Sequence, residues 1–238
     1  MKLLAIEASS QAASCALVED GTLRAEYFLN CGLTHSQTLL PLIEQLCREV
    51  GPLEQVDKIA VSSGPGSFTG LRIGLATAKS LGFALGLPVA GVSTLLSLGY
   101  NLAGLAMDGL CCAALDARRQ QIYGALFSLE KGVPQRLMPD CALSLEEMAE
   151  KIAGCAHPGQ PVFLVGDGAA LCEAAFLKRG LSEVRLAPSP LRLQRASSVA
   201  YAALETGNWL PAGEILPCYL RLSQAERELQ EKTAAQNG

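Results

Sequence analysis

The stretch Ser62-Ser63-Gly64-Pro65-Gly66-Ser67-Phe68-Thr69-Gly70-Leu71-Arg72-Ile73-Gly74 decides how this chain is read. Asp57 to Val61 before it is a short apolar run that predicts a buried strand, and Leu75 to Leu85 after it is rich in helix formers. The unit is strand, glycine turn, helix. Pro65 fixes its own φ while the flanking glycines can take φ > 0, which suits a tight turn. A helix N-terminus directly after such a turn favours an anion, so the block reads either as a phosphate cradle or as a packing turn. It is not a P-loop, because Leu71 and Arg72 stand where that motif has lysine and a hydroxyl residue. It also misses the dinucleotide fingerprint, since Gly70 falls one residue late after Gly64-Pro65-Gly66. Gly66, Gly70, Gly74, Ala78, Gly82 and Gly86 recur at every fourth position. Glycine inside a helix costs about 1 kcal/mol relative to alanine, so the expectation is that something packs closely here, a partner above all.

The chain has 238 residues, half of them hydrophobic and 18% charged, which is enough for two small lobes with their own cores. The net charge of −4 argues against a protein that grips nucleic acid through its own surface. Nine cysteines without a C-x-x-C pair, and with no signal peptide ahead of them, read as reduced thiols in a cytoplasmic protein. His35 and His157 are the only histidines, so the familiar Cys/His zinc spacings are absent. No charge falls between Lys79 and Asp108, but Gly86, Pro88 and Gly91 divide that run, so it is read as buried α/β core and not as a membrane span.

In chain order, Lys2–Glu7, Ser14–Glu19 and Thr22–Leu29 are predicted strands, the last two joined at Asp20-Gly21, a strong hairpin signal. A helix ending near Val50 follows, with Pro41 predicting a late start near Thr38 or a kink. Its Leu39, Leu42, Ile43, Leu46, Cys47 and Val50 cover more than one face, a wider apolar surface than one sheet requires. Lys58–Val61, a helix through Leu85, a strand at Pro88–Val92 and a helix from Thr94 complete the first half. The second half repeats the order: strands Leu110–Leu115 and Gln121–Leu129, a third over Pro134–Cys141, a helix opened by the Ser144/Glu147 capping box, a strand Pro161–Val165 and a helix Ala169–Lys178. A helix over Ser197–Glu205 and a polar tail follow. The expected division is residues 1–105 as the first lobe with its interface helices, 106–195 as the second lobe, 196–222 returning towards the first, and 223–238 as a tail.

Three strands followed by alternating helices and strands, twice over, is the plan of the actin/Hsp70/sugar-kinase (ASKHA) superfamily: an α/β protein of two RNase H-like lobes. More narrowly, Leu4-Ala5-Ile6-Glu7-Ala8-Ser9-Ser10, Thr34-His35-Ser36, the glycine block, Leu115-Asp116-Ala117-Arg118, Gly166-Asp167-Gly168 and Tyr219-Leu220-Arg221 resemble the TsaB (YeaZ) family. The resemblance implies a non-catalytic subunit of the bacterial machinery that places threonylcarbamoyl on adenosine 37 of tRNAs (t6A). Its implied partners are TsaD, the metal-dependent catalytic paralogue, and TsaE, an ATPase that joins through the TsaB–TsaD complex. It implies contact with tRNA only indirectly and a homodimer where TsaD is absent.

The residues agree with a lost active site. The catalytic paralogues carry paired histidines after the strand that follows the glycine helix, whereas this chain has Val92-Ser93-Thr94-Leu95-Leu96-Ser97-Leu98. Superfamily ATPases place aspartate where Glu7 stands. No catalytic residue, metal ligand or cofactor of the chain's own is expected, with ATP and metal on the partner subunits. Glu7, Ser9, Gly166 and Asp167 are the candidates for a vestigial nucleotide site, and they would serve the rival reading of a small ATPase. Asp116-Ala117-Arg118-Arg119 offers an anion or partner contact, or simply a strand-end carboxylate paired with an arginine. The expected partner interface is Leu39, Leu42, Ile43 and Leu46 on one helix with Phe68, Arg72, Leu75, Ala76, Lys79 and Phe83 on the next. The glycine turn is then chiefly a device that launches an interface helix.

Overall fold

A computed structural model describes residues 1–32, 34–105, 108–130 and 132–221. Strands β1 (Lys2–Glu7), β2 (Ala13–Glu19) and β3 (Thr22–Leu29) form an antiparallel meander. Asp20 and Gly21 both have positive φ (50° and 78°), the geometry their sequence predicts for the hairpin. Helix α1 (His35–Val50) leads to β4 (Lys58–Gly64), α2 (Phe68–Leu85), β5 (Val89–Ser93) and α3 (Thr94–Tyr100). The second sheet is built from β6 (Gly109–Asp116), β7 (Gln121–Glu130), β8 (Val133–Ser144), β9 (Val162–Val165) and β10 (Val184–Leu186), with α4 (Leu145–Cys155), α5 (Ala169–Lys178) and the single turn α6 (Ser189–Arg192). Helix α7 (Ala196–Thr206) and β11 (Trp209–Leu210) return to the first sheet.

The strand order is β11-β5-β4-β1-β2-β3 in one sheet and β10-β9-β6-β7-β8 in the other. Setting β11 aside, both sheets have the same order, with the first strand central, an antiparallel pair on one side and parallel crossovers on the other. This is the RNase H-like plan repeated, as the ASKHA superfamily has it. Helices α1 and α2 cover the outer face of the first sheet through Leu4, Ile6, Leu39, Ile43 and Leu75. Helix α7 covers its inner face, where Leu3, Ala5 and Ala60 meet Val199 and Ala203. Alternate residues of β1 thus enter two different cores, as period-two strands require. Helix α3 packs against both α7 and the second sheet, whose far face carries α4 and α5.

Several expectations change. Helix α1 starts at His35 and runs on through Pro41, so the late start near Thr38 does not occur. The carbonyl that Pro41 cannot satisfy is that of Gln37, and both residues lie on the exposed side, where water can serve it. β10, α6 and β11 lay outside the predicted elements, being too short to show a period. The expected third strand is longer than predicted, Val133–Ser144, and both Ser144–Glu147 capping-box hydrogen bonds are formed. The polar tail, and the exposed helix expected there, lie outside the described residues. Among those residues no helix is long and apolar enough to cross a membrane.

Candidate functional site

The glycine turn is organised around the chain's own backbone. An ideal Cβ at Gly70 would lie 2.1 Å from the carbonyl oxygen of Ala8, and one at Gly66 would lie 2.3 Å from that of Ser9. Ser67 N–H donates to Ser9 O at 2.6 Å, and the Ser67 hydroxyl accepts from Gly70 N–H at 3.3 Å as the helix cap. Further along, a Cβ at Gly82 would meet Val89 and Ala212. Gly66, Gly70, Gly74 and Gly82 therefore admit the β1–β2 turn and the C-terminal segment of the same molecule, whereas Gly86 is the exposed left-handed cap that ends α2. The expectation that they pack against a partner is corrected: Gly70, Gly74, Ala78 and Gly82 lie on the inward face of α2.

The predicted interface residues divide by burial. Leu39, Ile43, Leu46 and Leu75 are core residues, Leu75 only 4% exposed, so they cannot be touched by a partner. Leu42 is half-buried at the edge of the same core. The surplus apolar surface of α1 is thus largely absorbed by β2, β3 and α2. Arg72 and Ala76 are exposed, Phe68 and Lys79 are half-buried, and Phe83 is 86% exposed. Residues 68, 72, 76, 79 and 83 follow one another at helical spacing, so they form a single outward stripe on α2. Leu40, 51% exposed on α1, was missed. It is an apolar residue off the i, i+4, i+7 row of buried ones, and that displacement was a readable signal.

The two sheets meet at a cleft of about 620 Å³ whose walls include Ser9, Ser10, Ser67, Phe68, Asp116, Arg118, Asp167, Tyr219 and Arg221. Ser9 and Asp167 of the predicted nucleotide set lie here. Glu7 lies below, fully buried. Its Oε1 accepts from Ser9 N–H at 2.5 Å and its Oε2 accepts from the Ser62 hydroxyl. Burial pushes this carboxyl above the ordinary carboxylate value, while the Ser62 and Ser9 donors and the nearby His35 oppose the shift. Asp167 bridges the lobes: its Oδ1 accepts from Asp116 N–H at 3.0 Å and its Oδ2 from the Ser10 hydroxyl. Gly166 is a packing glycine, because a Cβ there would lie 2.0 Å from Ala114 O.

The fold family uses such a cleft for a magnesium nucleotide, and these residues do not fit one. Both oxygens of Glu7 accept from donors within the protein and are shut away from the cleft, and each oxygen of Asp167 is already engaged in one hydrogen bond within the protein. Among the described residues no three His, Cys, Asp or Glu side chains gather to hold a metal. Residues 118–120 are unusual: Arg118, Arg119 and Gln120 all have positive φ (66°, 53° and 58°). The Arg118 side chain is not paired with Asp116; it is the Arg118 backbone N–H that donates to Asp116 Oδ1, at 2.7 Å. The segment returns to the first lobe at Tyr219, the side expected for residues 196–222, but the reach of Arg221 to the second lobe was not foreseen, since no local signal tells which distant backbone a side chain will meet.

Residues 31–209 match the family model described as TsaD, tRNA N6-adenosine threonylcarbamoyltransferase. The tRNA threonylcarbamoyladenosine biosynthesis protein TsaB of Bacillus subtilis is 32% identical over 231 residues, 95% of this chain and 96% of that protein. The Haemophilus influenzae protein of the same name is 29% identical, covering 93% and 94% of the two chains. The solved structure of YeaZ from Pseudomonas aeruginosa superposes with a TM-score of 0.75 at 30% identity, over 92% of this chain and 99% of that one. Near-complete coverage at these identities, on the same two-lobed fold, means that the chain belongs to the TsaB family.

Proposed function

We propose that this protein acts in forming threonylcarbamoyladenosine in tRNA as a non-catalytic scaffold, binding the catalytic subunit TsaD and holding it in a competent form. The outward stripe of α2, from Phe68 through Arg72 and Ala76 to Phe83, carries this reading, because an 86%-exposed phenylalanine on a helix is surface that association would cover. Leu40 on the neighbouring α1 extends the apolar area. The same face pairs with a second copy of the chain when TsaD is absent, and the TsaB–TsaD complex forms the place where TsaE docks. ATP and metal belong to those partners, tRNA contact is indirect, and the complex works in the cytoplasm. The enclosed Glu7 carboxyl supports a site no longer used for chemistry.

The test is co-purification of TsaD with the Ala76→Glu and Phe83→Asp variants. Both are expected to fold with unchanged melting temperature and to lose TsaD. Retention of TsaD by both variants refutes the assignment of the surface. Calorimetry with ATP and magnesium on the isolated chain tests the ATPase rival: micromolar binding abolished by Glu7→Ala would favour that enzyme over the scaffold.

A further inference from the structure

After β11 the chain runs back along α2. Ala212 lies beside Gly82, Ile215 beside Gly91, and Cys218 N–H donates to Ser63 O at 2.7 Å. At the N-terminal end of α2, the Tyr219 ring stacks on Phe68 with centroids 4.7 Å apart and planes 25° from parallel. Arg72 packs its guanidinium 3.8 Å from the Phe68 centroid and donates from Nε to the Tyr219 hydroxyl at 3.1 Å. Two residues on, Arg221 reaches the other lobe, donating to Ala117 O at 3.2 Å and to the Gln121 side chain. Those acceptors flank the three left-handed residues 118–120. Non-glycine residues in that region are strained and persist only where their surroundings hold them.

We propose that Cys218–Arg221 is an interlobe clasp: Tyr219 anchors it to the first turn of α2, Arg221 anchors it to the strained 117–121 turn, and each anchor depends on the other. The four residues are too few to leave slack between their two attachments, so loosening one end frees the other. Phe68 and Arg72 belong to the outward stripe, so the clasp also sets the end of α2 that a partner meets. That last consequence rests on the function proposed above, whereas the clasp itself is a property of the isolated chain.

Hydrogen–deuterium exchange on the full chain tests it, using Arg221→Ala and Tyr219→Ala. Losing one stack or one charged hydrogen bond predicts about tenfold faster exchange at the released turn. The clasp requires that Arg221→Ala speed exchange in residues 67–72, on the far lobe, and that Tyr219→Ala speed it in residues 117–121. Acceleration confined to the mutated end overturns it. Uniform acceleration over all segments overturns it too, since that marks a general loss of stability. TsaD capture is measured separately, so its loss without exchange across the lobes would sink the clasp and leave the partner reading standing.

Discussion

Gly70 and Ala8 are in backbone contact: a side chain at Gly70 would begin 2.1 Å from the Ala8 carbonyl oxygen, far closer than a β-carbon can come. The glycine block thus holds α2 down on the turn that follows β1, and it places Glu7 and Ser9 under the helix N-terminus.

Gly70→Ala should therefore destabilise the protein by about 2–4 kcal/mol, since backbone opposes the new methyl. Thermal unfolding should show a fall of roughly 5–15 °C for a chain of this size. Gly154→Ala, on α4 with nothing within 4 Å, is the control and should leave the transition unchanged or raise it slightly. Equal effects at the two sites would contradict the packing role.

Leu75 and Ala76 are neighbours with opposite fates, one in the core and the other on the surface. Leu75→Glu should leave little soluble, folded protein, since an unpaired charge enters an apolar site. Ala76→Glu should melt within about 0.5 kcal/mol of the wild type. Circular dichroism melts separate them, and a folded Leu75→Glu protein would show that the helix face is wrongly assigned.

Glu7 makes stability depend on pH. Burial raises its carboxyl pKa in the folded state above the unfolded value, so the folded protein holds the proton more tightly. Its contribution to stability is complete below the unfolded pKa and is lost as pH rises through the folded one. Glu7→Gln should remove this component, flattening the decline in melting temperature above the ordinary carboxylate range. Its amide oxygen can still accept from Ser9 N–H, and the Ser62 hydroxyl can turn to accept from the amide. An unchanged pH profile in the variant would place the titration elsewhere.

Thiol reagents should divide the cysteines by burial. Cys31 and Cys155 are exposed and should react first, followed by the exposed Cys218, whose pKa is raised by partial burial and by nearby Asp140. Cys15 and Cys111, buried and pushed up to about 12, should react only on unfolding. Mass spectrometry after brief alkylation reads the order directly, and early labelling of Cys111 would contradict the core described.

Element types were legible because period-two strands, the Asp20-Gly21 turn, the Ser144 capping box and the stop at Gly86 are local signals, each carried by a few adjacent residues. The repeat of three strands and two crossovers in each half was legible for the same reason. The outward stripe of α2 was legible only in part: its residues were named, but Leu75 was named with them. Hydrophobicity alone does not separate a leucine that meets its own sheet from one that meets a partner.

By itself, the sequence determined the two-lobed plan, the helix launched by the glycine block and the lack of metal-ligating side chains after β5. Tertiary structure alone decided what the glycines approach, which oxygens close around Glu7, and that Tyr219 and Arg221 tie one lobe to the other. The physical reason is range. Secondary structure follows from neighbours a few positions apart, whereas the Tyr219–Phe68 and Ser10–Asp167 contacts join residues more than a hundred positions apart, whose meeting depends on how whole sheets pack.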